Sequence, residues 1–398
     1  METSRSRLDR VPQLDGLRGI AVSLVVLYHY GVYYVDGSGL FPPLRWLAVR
    51  GWVGVDLFFV MSGFLIGGIV IANRDADNLF STFYARRFLR IFPLYYLLLG
   101  TSAIYLWTHP YSGMPSLLPY FFYFQNNTLA FTGDAGPTWL QPGWTLAVEE
   151  QFYLLLPAIV FLTPPRLLKY VVTAGILVAL AMRVAGYLIL PLENPKLFAL
   201  FLTPCRFDDL FYGVLLALLV RSGAGPISRK AQILICYAGF VGGLLGFVFL
   251  YQTVPLLLTV GLTLLGAAFF SMVALTVLHE RGPLALITGT RLLRWIGVRT
   301  YAIYLFHVPV LLGVRRFFDV TGADPHGSMQ LVAVAVTLAV ASASWRLIEA
   351  PLIGLGHRLK YGQGARHLVL RPGAPETTAS AGEPLSETGQ ALQQGRPA

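Results

Sequence analysis

Apolar runs of membrane-spanning length recur along almost the whole chain, and they constrain the fold more than any other feature. Crossing about 30 Å of hydrocarbon takes roughly 20 residues of helix. Ten runs approach or reach that length, at about residues 14–34, 53–73, 88–108, 148–163, 170–190, 206–221, 231–250, 254–278, 299–315 and 328–349. Only 13% of the 398 residues are charged, against about 25% in soluble domains. The sequence therefore predicts an all-α polytopic membrane protein with about ten transmembrane helices.

Basic residues are concentrated in alternate loops between these runs. The loops assigned to the cytoplasmic side hold most of the arginine and lysine, whereas the long segment 109–147 holds none. Such an asymmetry sets orientation in the membrane, so we expect both termini to be cytoplasmic. The net charge of +10 follows from the same bias, and we therefore expect no nucleic-acid partner. Within the long segment, residues 116–130 are apolar enough to dip into the membrane without crossing it.

Two regions of different composition are expected. Residues 1–351 form the predicted transmembrane domain, and residues 352–398 form a cytoplasmic tail. From residue 361 onward the tail is rich in glycine, proline, alanine, glutamate and glutamine, a composition that cannot bury a core, so we expect disorder there.

No cluster of cysteine and histidine has the spacing of a zinc site, and we expect no metal.

Two ionisable residues, Arg18 and His29, lie within the first apolar run, LDGLRGIAVSLVVLYHY. Their separation corresponds to about three helical turns plus 20°, so both side chains leave the same face of one helix. Along the helix axis they are about 16 Å apart. Because an ionisable group inside hydrocarbon normally faces a cavity or a partner, the pair predicts a central polar cavity that runs inward from the cytoplasmic surface.

His29 is the candidate catalytic base, since a neutral imidazole can accept a proton from a hydroxyl group near neutral pH. Glu149, in the first turn of the fourth span, and Asp56, about a turn into the second, are expected at its depth. Either carboxylate would orient the imidazole and raise its basicity, while Glu150 is expected to be solvated. In the alternative interpretation, His29 bonds a neighbouring backbone carbonyl and Asp56 joins two helices.

Three arginines lie at the inner end of the third span in FYARRFLRIFP, at positions Arg86, Arg87 and Arg90. Arg87 and Arg90 share a helix face, and guanidinium groups bind phosphate oxygens in a bidentate manner. Together with Arg18, at the same depth, they predict a seat for a polyphosphate head group. The alternative is that these arginines fix topology and contact anionic lipid.

A cationic mouth and a deeper histidine together predict an elongated ligand with an anionic head. Acyl coenzyme A has this shape, because a phosphorylated nucleotide is followed by an extended arm that ends in a thioester. The distance from Arg18 to His29 is of the order of the length of that arm. A transporter or flippase with proton-coupled histidine, aspartate and glutamate side chains is the alternative, since it also explains the buried charges.

Four further ionisable residues lie inside predicted spans. The sequence leaves open whether His307 is a core residue or a cavity residue. Glu349 is expected to form an ion pair with the arginine three residues before it, and Arg206 with the two aspartates that closely follow it. Arg183 needs a partner that the sequence does not identify.

Several of these segments resemble the acyltransferase-3 family of integral-membrane O-acyltransferases. The arginine-x10-histidine pattern of that family is met by Arg18 and His29, and its arginine-x-x-arginine region by Arg87 and Arg90. Thr145 stands where the family usually has serine, so a hydroxyl is kept. The resemblance covers residues 12–351 and is carried by LDGLRGIAVSLVVLYH, GVDLFFVMSGFLI, FYARRFLRIFPLYY, GWTLAVEEQFYLLLP and WRLIEAPL, in this order.

The resemblance implies a membrane-embedded transferase that moves an acyl group, often acetyl, from acyl coenzyme A to a hydroxyl of a sugar or glycoconjugate. The expected partners are acyl coenzyme A, preferably acetyl coenzyme A, a carbohydrate acceptor and membrane lipid. The expected location is the cytoplasmic (inner) membrane if the source is bacterial. The acceptor, the acyl length and the oligomeric state stay open. The candidate catalytic residues are His29, Glu149 and Asp56, and the candidate donor-binding residues are Arg18, Arg86, Arg87 and Arg90.

Overall fold

A computed structural model describes residues 11–33, 41–110, 114–222, 227–251, 253–279, 281–322 and 328–362. Every regular element within these ranges is a helix, so the all-α prediction is confirmed for them. The last helix runs to Arg358, past the expected domain boundary at 351. Most of the predicted disordered tail, residues 363–398, lies outside the described residues.

The helices follow one another without intervening sheet in the described ranges. In chain order they are α1 Pro12–Tyr28, α2 Pro42–Arg50, α3 Gly54–Ala72, α4 Leu79–Thr108, α5 Leu118–Phe121, α6 Gln125–Thr132, α7 Trp144–Leu162, α8 Pro165–Leu188, α9 Pro195–Phe201, α10 Phe207–Ser222, α11 Arg229–Leu250, α12 Val254–Leu256, α13 Leu262–Leu278, α14 Pro283–Thr288, α15 Arg291–Val298, α16 Thr300–Thr321, α17 Ser328–Ser344 and α18 Ala350–Arg358. Turns of π-helix extend α1, join α12 to α13 and join α17 to α18, at His29–Tyr33, Leu257–Gly261 and Trp345–Glu349.

Seven helices of the described chain are long and apolar enough to cross a membrane. An eighth is added if α15 and α16, which are bent by 76° at the break between them, are counted as one span. The expected count of ten is therefore not confirmed. The two expected spans that are not among them are the one that contains α1 and the one that contains α10. Both carry charged side chains, Asp15 and Arg18 in the first and Arg206, Asp208 and Asp209 in the second. The side of the membrane on which each terminus lies stays a prediction.

Residues 114–143, the described part of the long segment before α7, pack against α7 and contain α5 and α6, neither of which is long enough to cross a membrane. Buried amides hold them there. Gln151 of α7 donates hydrogen bonds to the carbonyl of Tyr123 at 2.6 Å and to Asn126 Oδ1 at 2.9 Å. Asn126 in turn donates to the carbonyl of Phe201 at 2.9 Å. Because buried polar groups need such partners, the network fixes this segment against α7 and α9.

Two close helix crossings, both made by glycine, bring the central helices together. A Cβ atom on Gly63 of α3 would overlap the carbonyl oxygen of Leu210 on α10. Gly297, near the end of α15, approaches the carbonyl of Asp15 on α1 in the same way. Small residues allow helix backbones to approach this closely in membrane proteins. The crossings therefore fix how α1, α3, α10 and α15 are placed around the cavities described next.

Candidate active site

One cavity gathers most of the predicted donor-binding residues. Arg18 of α1 and Arg87 and Arg90 of α4 line a cavity of about 130 Å³, which we call the arginine chamber. Glu149 of α7 and Glu349, at the end of the last π-helical turn, also line it. Three guanidinium groups and two carboxyl groups around one space suit a ligand that combines anionic oxygens with hydrogen-bond donors.

Arg86 does not line the arginine chamber. Its guanidinium donates two hydrogen bonds to the carbonyl of Leu359, at 3.0 and 2.5 Å, and lies 4.7 Å from the ring centre of Tyr361. The sequence grouped Arg86 with Arg87 because they are adjacent, but neighbouring helix residues point about 100° apart. The structure therefore separates Arg86 from the other three arginines and gives it a role in anchoring the residues after α18.

Glu349 does not form the ion pair with Arg346 that the sequence predicted. It accepts a hydrogen bond from Ser344 at 3.0 Å and is 4% exposed, and no ion pair joins it to Arg346 among the described residues. The π-helical turn explains the difference, because it removes the i,i+3 register on which the expected pair depended. Glu349 thereby faces the arginine chamber.

The second cavity, of about 530 Å³, is lined by His29 at the end of α1, and we call it the histidine chamber. Trp52, Trp144 and Gln141 also line it. Arg18 and His29 were expected to face one cavity, but the structure places them in two adjoining ones. Of the residues described, the ones that line both chambers are Val55 and Tyr304.

His29 lies against a second histidine, His307 of α16. Nε2 of His307 is 3.2 Å from Nδ1 of His29, and the ring centres are 4.8 Å apart. The same Nδ1 of His29 is 2.8 Å from the carbonyl oxygen of Val25, and Nδ1 of His307 is 2.7 Å from that of Tyr304. His307 is fully buried and lines neither chamber, so it reaches the site through its contact with His29.

These contacts assign a tautomer to each imidazole. A carbonyl oxygen only accepts hydrogen bonds, so Nδ1 of His307 carries the hydrogen and its Nε2 holds a lone pair when the ring is neutral. Nδ1 of His29, which faces the carbonyl of Val25 and this lone pair, is likewise the donor. Neutral His29 therefore holds its lone pair on Nε2, and that atom is the one able to accept a proton.

Neither of the carboxylates predicted to orient His29 is placed for that role. Asp56 lines the histidine chamber, but its Oδ1 forms an ion pair with Arg206 at 2.5 Å. Glu149 lies in the other chamber, beside Ser62. The sequence matched the three residues by depth, and depth does not fix the direction of a side chain around its helix. In the structure, His307 and a backbone carbonyl orient His29 instead.

A buried group of charges, the aspartate–arginine cluster, lies beside the histidine chamber. Arg206 bonds Asp56 and, at 3.3 Å, Asp209. Arg183, whose partner the sequence did not identify, pairs with Asp208 at 2.5 Å, and both side chains are fully buried. The expected local pairing of Arg206 is therefore correct for Asp209 and wrong for Asp208, which pairs with Arg183 instead. The cluster ties α3, α8 and α10 together.

Helices of membrane-spanning length around buried arginine and histidine side chains define an integral membrane protein with an internal site. A model of the family described as "Acyltransferase domain" matches residues 11–346, a range that includes all lining residues of both chambers except Glu349. The chain belongs to this family of acyltransferases.

Curated relatives of known name align with most of this chain. The chain is 32% identical to the peptidoglycan O-acetyltransferase OatA of Listeria monocytogenes, over 88% of this chain and 57% of the relative. It is 27% identical to the putative peptidoglycan O-acetyltransferase YrhL of Bacillus subtilis, over 87% and 56%. It is 26% identical to the O-acetyltransferase OatA of Staphylococcus aureus, over 90% and 61%. The chain thus spans less than two thirds of the length of these curated relatives. No solved structure matches it.

Proposed function

We propose that this protein is a membrane-embedded O-acyltransferase that moves an acetyl group from cytoplasmic acetyl coenzyme A to a hydroxyl of a carbohydrate or glycoconjugate. The observation that carries this proposal is the meeting of the two chambers at Val55 and Tyr304. A donor bound through its anionic head in the arginine chamber can present its far end to the chamber that contains His29. The names of the relatives, two of them peptidoglycan O-acetyltransferases, support a glycan as the acceptor.

The donor side rests on Arg18, Arg87 and Arg90. Guanidinium groups bind phosphate oxygens in a bidentate manner, and three of them around one cavity match the several phosphate oxygens of coenzyme A. Glu149 and Glu349 can accept hydrogen bonds from the amide groups of the pantetheine arm. From Arg18 to His29 the first helix rises by about 16 Å, a span that such an arm can follow.

The acceptor side rests on the histidine chamber. Its volume of about 530 Å³ lies within the range of roughly 300–1,000 Å³ that is usual for small-molecule sites. Trp52 and Trp144 present aromatic surface to it, and Gln141 presents a polar group. A sugar unit has both an apolar face and a rim of hydroxyl groups, so it matches a wall of this mixed character.

In the reaction, Nε2 of His29 accepts the proton of the acceptor hydroxyl while the hydroxyl oxygen attacks the thioester carbonyl carbon. A C–O bond forms, and the C–S bond then breaks as the tetrahedral intermediate collapses. The proton passes from His29 to the departing sulfur, so the products are an ester and the free thiol of coenzyme A. His307 keeps Nδ1 of His29 occupied and leaves Nε2 as the base. An acyl-histidine intermediate would use the same nitrogen as the nucleophile, and trapping of labelled acyl-enzyme would distinguish that route.

The test is transfer of labelled acetyl from acetyl coenzyme A to an N-acetylglucosamine oligosaccharide by the purified full chain. His29→Ala removes the base, and general bases contribute about 10²–10⁴-fold to rate, so we expect a loss of that size. His279→Ala is the matched control, since His279 lines neither chamber. Near-wild-type turnover of His29→Ala would exclude His29 from the mechanism, and a wild-type protein that forms no ester would contradict the transferase proposal in favour of transport.

A further inference from the structure

Two arginines that do not line the arginine chamber lie beside its wall. Arg299 is at the bend between α15 and α16, between Val298 and Thr300, which both line the chamber. Arg346 is in the π-helical turn that ends at Glu349, another lining residue. We propose that Arg299 and Arg346 form a second anion site at the edge of the chamber, and that this site binds the 3′-phosphate of coenzyme A. The inference rests on the proposed function, because it takes acetyl coenzyme A as the donor.

The guanidinium group of Arg299 is held in place by its own helix. It stacks on the ring of Trp295, with its carbon atom 4.2 Å from the ring centre, and its Nη1 donates to the carbonyl of Trp295 at 3.0 Å. Its Nε and Nη2 form no hydrogen bond among the described residues, although Nε is shielded from solvent. These two N–H groups lie along one edge of the guanidinium plane and can bind two oxygens of a phosphate side by side. Arg299 therefore presents a fixed, unpaired edge that suits a phosphate.

The charges around Arg299 favour an anion at this position. Arg299 interacts electrostatically with Arg346 and with Glu349, and Glu349 interacts in turn with Arg90 of the arginine chamber. The one carboxylate thus lies between two guanidinium groups, and Arg299 meets a further cation in Arg346. Arg346 is exposed and forms no ion pair among the described residues. Because positive charge exceeds negative charge around Arg299, a bound anion reduces the repulsion there.

The order of the phosphates in coenzyme A matches the order of the two sites. The thioester arm is attached to the diphosphate, whereas the 3′-phosphate is on the ribose, farther from the thioester. A donor whose diphosphate lies in the arginine chamber, with its thioester arm directed inward, leaves the ribose at the edge of the chamber. There, Arg299 is half-buried and Arg346 is exposed. A phosphate monoester carries about 1.5–2 negative charges at neutral pH, so it can pair with two guanidinium groups at once.

Binding of two nucleotides by the purified full chain in non-ionic detergent tests the second anion site. Coenzyme A and 3′-dephospho-coenzyme A differ only in the 3′-phosphate, and calorimetric titration gives a Kd for each. We expect the wild-type chain to bind coenzyme A about tenfold more tightly, as charge-assisted hydrogen bonds imply. Arg299→Ala should lower this preference to about twofold and leave the Kd of 3′-dephospho-coenzyme A nearly unchanged. The retained binding of the second nucleotide also shows that the variant is folded.

Two further variants control for the loss of a charge. Arg316→Ala removes an exposed arginine near the other end of α16, roughly 25 Å from Arg299 along the helix, and should keep the wild-type preference for coenzyme A. Arg299→Lys keeps the charge without the bidentate edge, and its preference should fall between those of the wild type and Arg299→Ala. If Arg299→Ala does not fold, Arg346→Ala decides, since it should also lower the preference.

The outcomes separate the second anion site from the proposed function. Equal Kd values for the two nucleotides in the wild-type chain, or a preference that both alanine variants keep, overturn the second anion site and leave coenzyme A as the donor. A kept preference, together with loss of the thermal stabilisation that phosphatidylglycerol gives the wild-type chain, assigns Arg299 to an anionic lipid head group instead. A wild-type chain that binds neither nucleotide overturns the donor in the proposed function itself.

Discussion

Replacing His307 with leucine tests whether this residue positions His29 or takes a proton itself. The change removes the Nε2 acceptor that lies 3.2 Å from Nδ1 of His29, whereas the carbonyl of Val25 still accepts at 2.8 Å. One hydrogen bond inside a protein contributes about 0.5–1.5 kcal/mol, and 1.36 kcal/mol corresponds to about tenfold in rate. We therefore expect kcat to fall roughly two- to thirteenfold. The KM for the donor should stay unchanged, because His307 does not line the arginine chamber.

The assay follows the transfer of labelled acetyl from acetyl coenzyme A to an N-acetylglucosamine oligosaccharide. The kcat and the KM for the donor are measured separately. His307→Gln is the matched variant, because the side-chain oxygen of glutamine can accept the same hydrogen bond from His29, and we expect it to keep more of the wild-type kcat than His307→Leu. A loss of about 100-fold or more, as large as that expected for a general base, would refute the positioning role and would show that His307 itself transfers a proton.

Two further predictions concern the donor site and the helix crossing. Hydrogen bonds to charged groups contribute about 1.5–3 kcal/mol, so Arg87→Ala should raise the donor KM about tenfold or more and change the acceptor KM little. Arg86→Ala, outside the arginine chamber, should leave the donor KM near wild type, and the opposite pattern would contradict the donor assignment. Gly63→Ala forces a methyl group against a backbone carbonyl and should destabilise the fold by about 1–3 kcal/mol, whereas Gly68→Ala meets open space. Equal unfolding midpoints of the two alanine variants in detergent would disprove the close crossing.

The sequence predicted positions along helices better than it predicted neighbours. Counting residues at about 1.5 Å each along a helix groups Arg18, Arg87 and Arg90, and the structure places these three around one cavity. The apolar runs fall largely within helices, because a backbone in hydrocarbon must satisfy its own hydrogen bonds. The count of spans is less certain from the sequence, since hydrophobic composition does not tell where a helix bends or ends.

Contacts between helices could not be predicted, because they depend on how each helix is rotated about its axis. That rotation is set by the glycine crossings at Gly63 and Gly297, which a hydrophobic pattern does not reveal. Asp56 is paired with Arg206, 150 positions away, rather than with His29. The π-helical turns at the ends of α1 and α17 also shift side chains off the regular α-helical register. The turn after α17 explains why Glu349 faces the arginine chamber.

The aspartate–arginine cluster has a consequence for biosynthesis. Its charges belong to helices that are synthesised at different times, since Arg206 follows Asp56 by 150 residues. A lone charge within a membrane helix costs about 2.5–3.5 kcal/mol on insertion. When α3 is synthesised, its aspartate has no guanidinium to meet, so the cost of burying it is offset only after α10 has arrived. We therefore expect a chain truncated before α10 to hold α3 less firmly in its place than the full chain does.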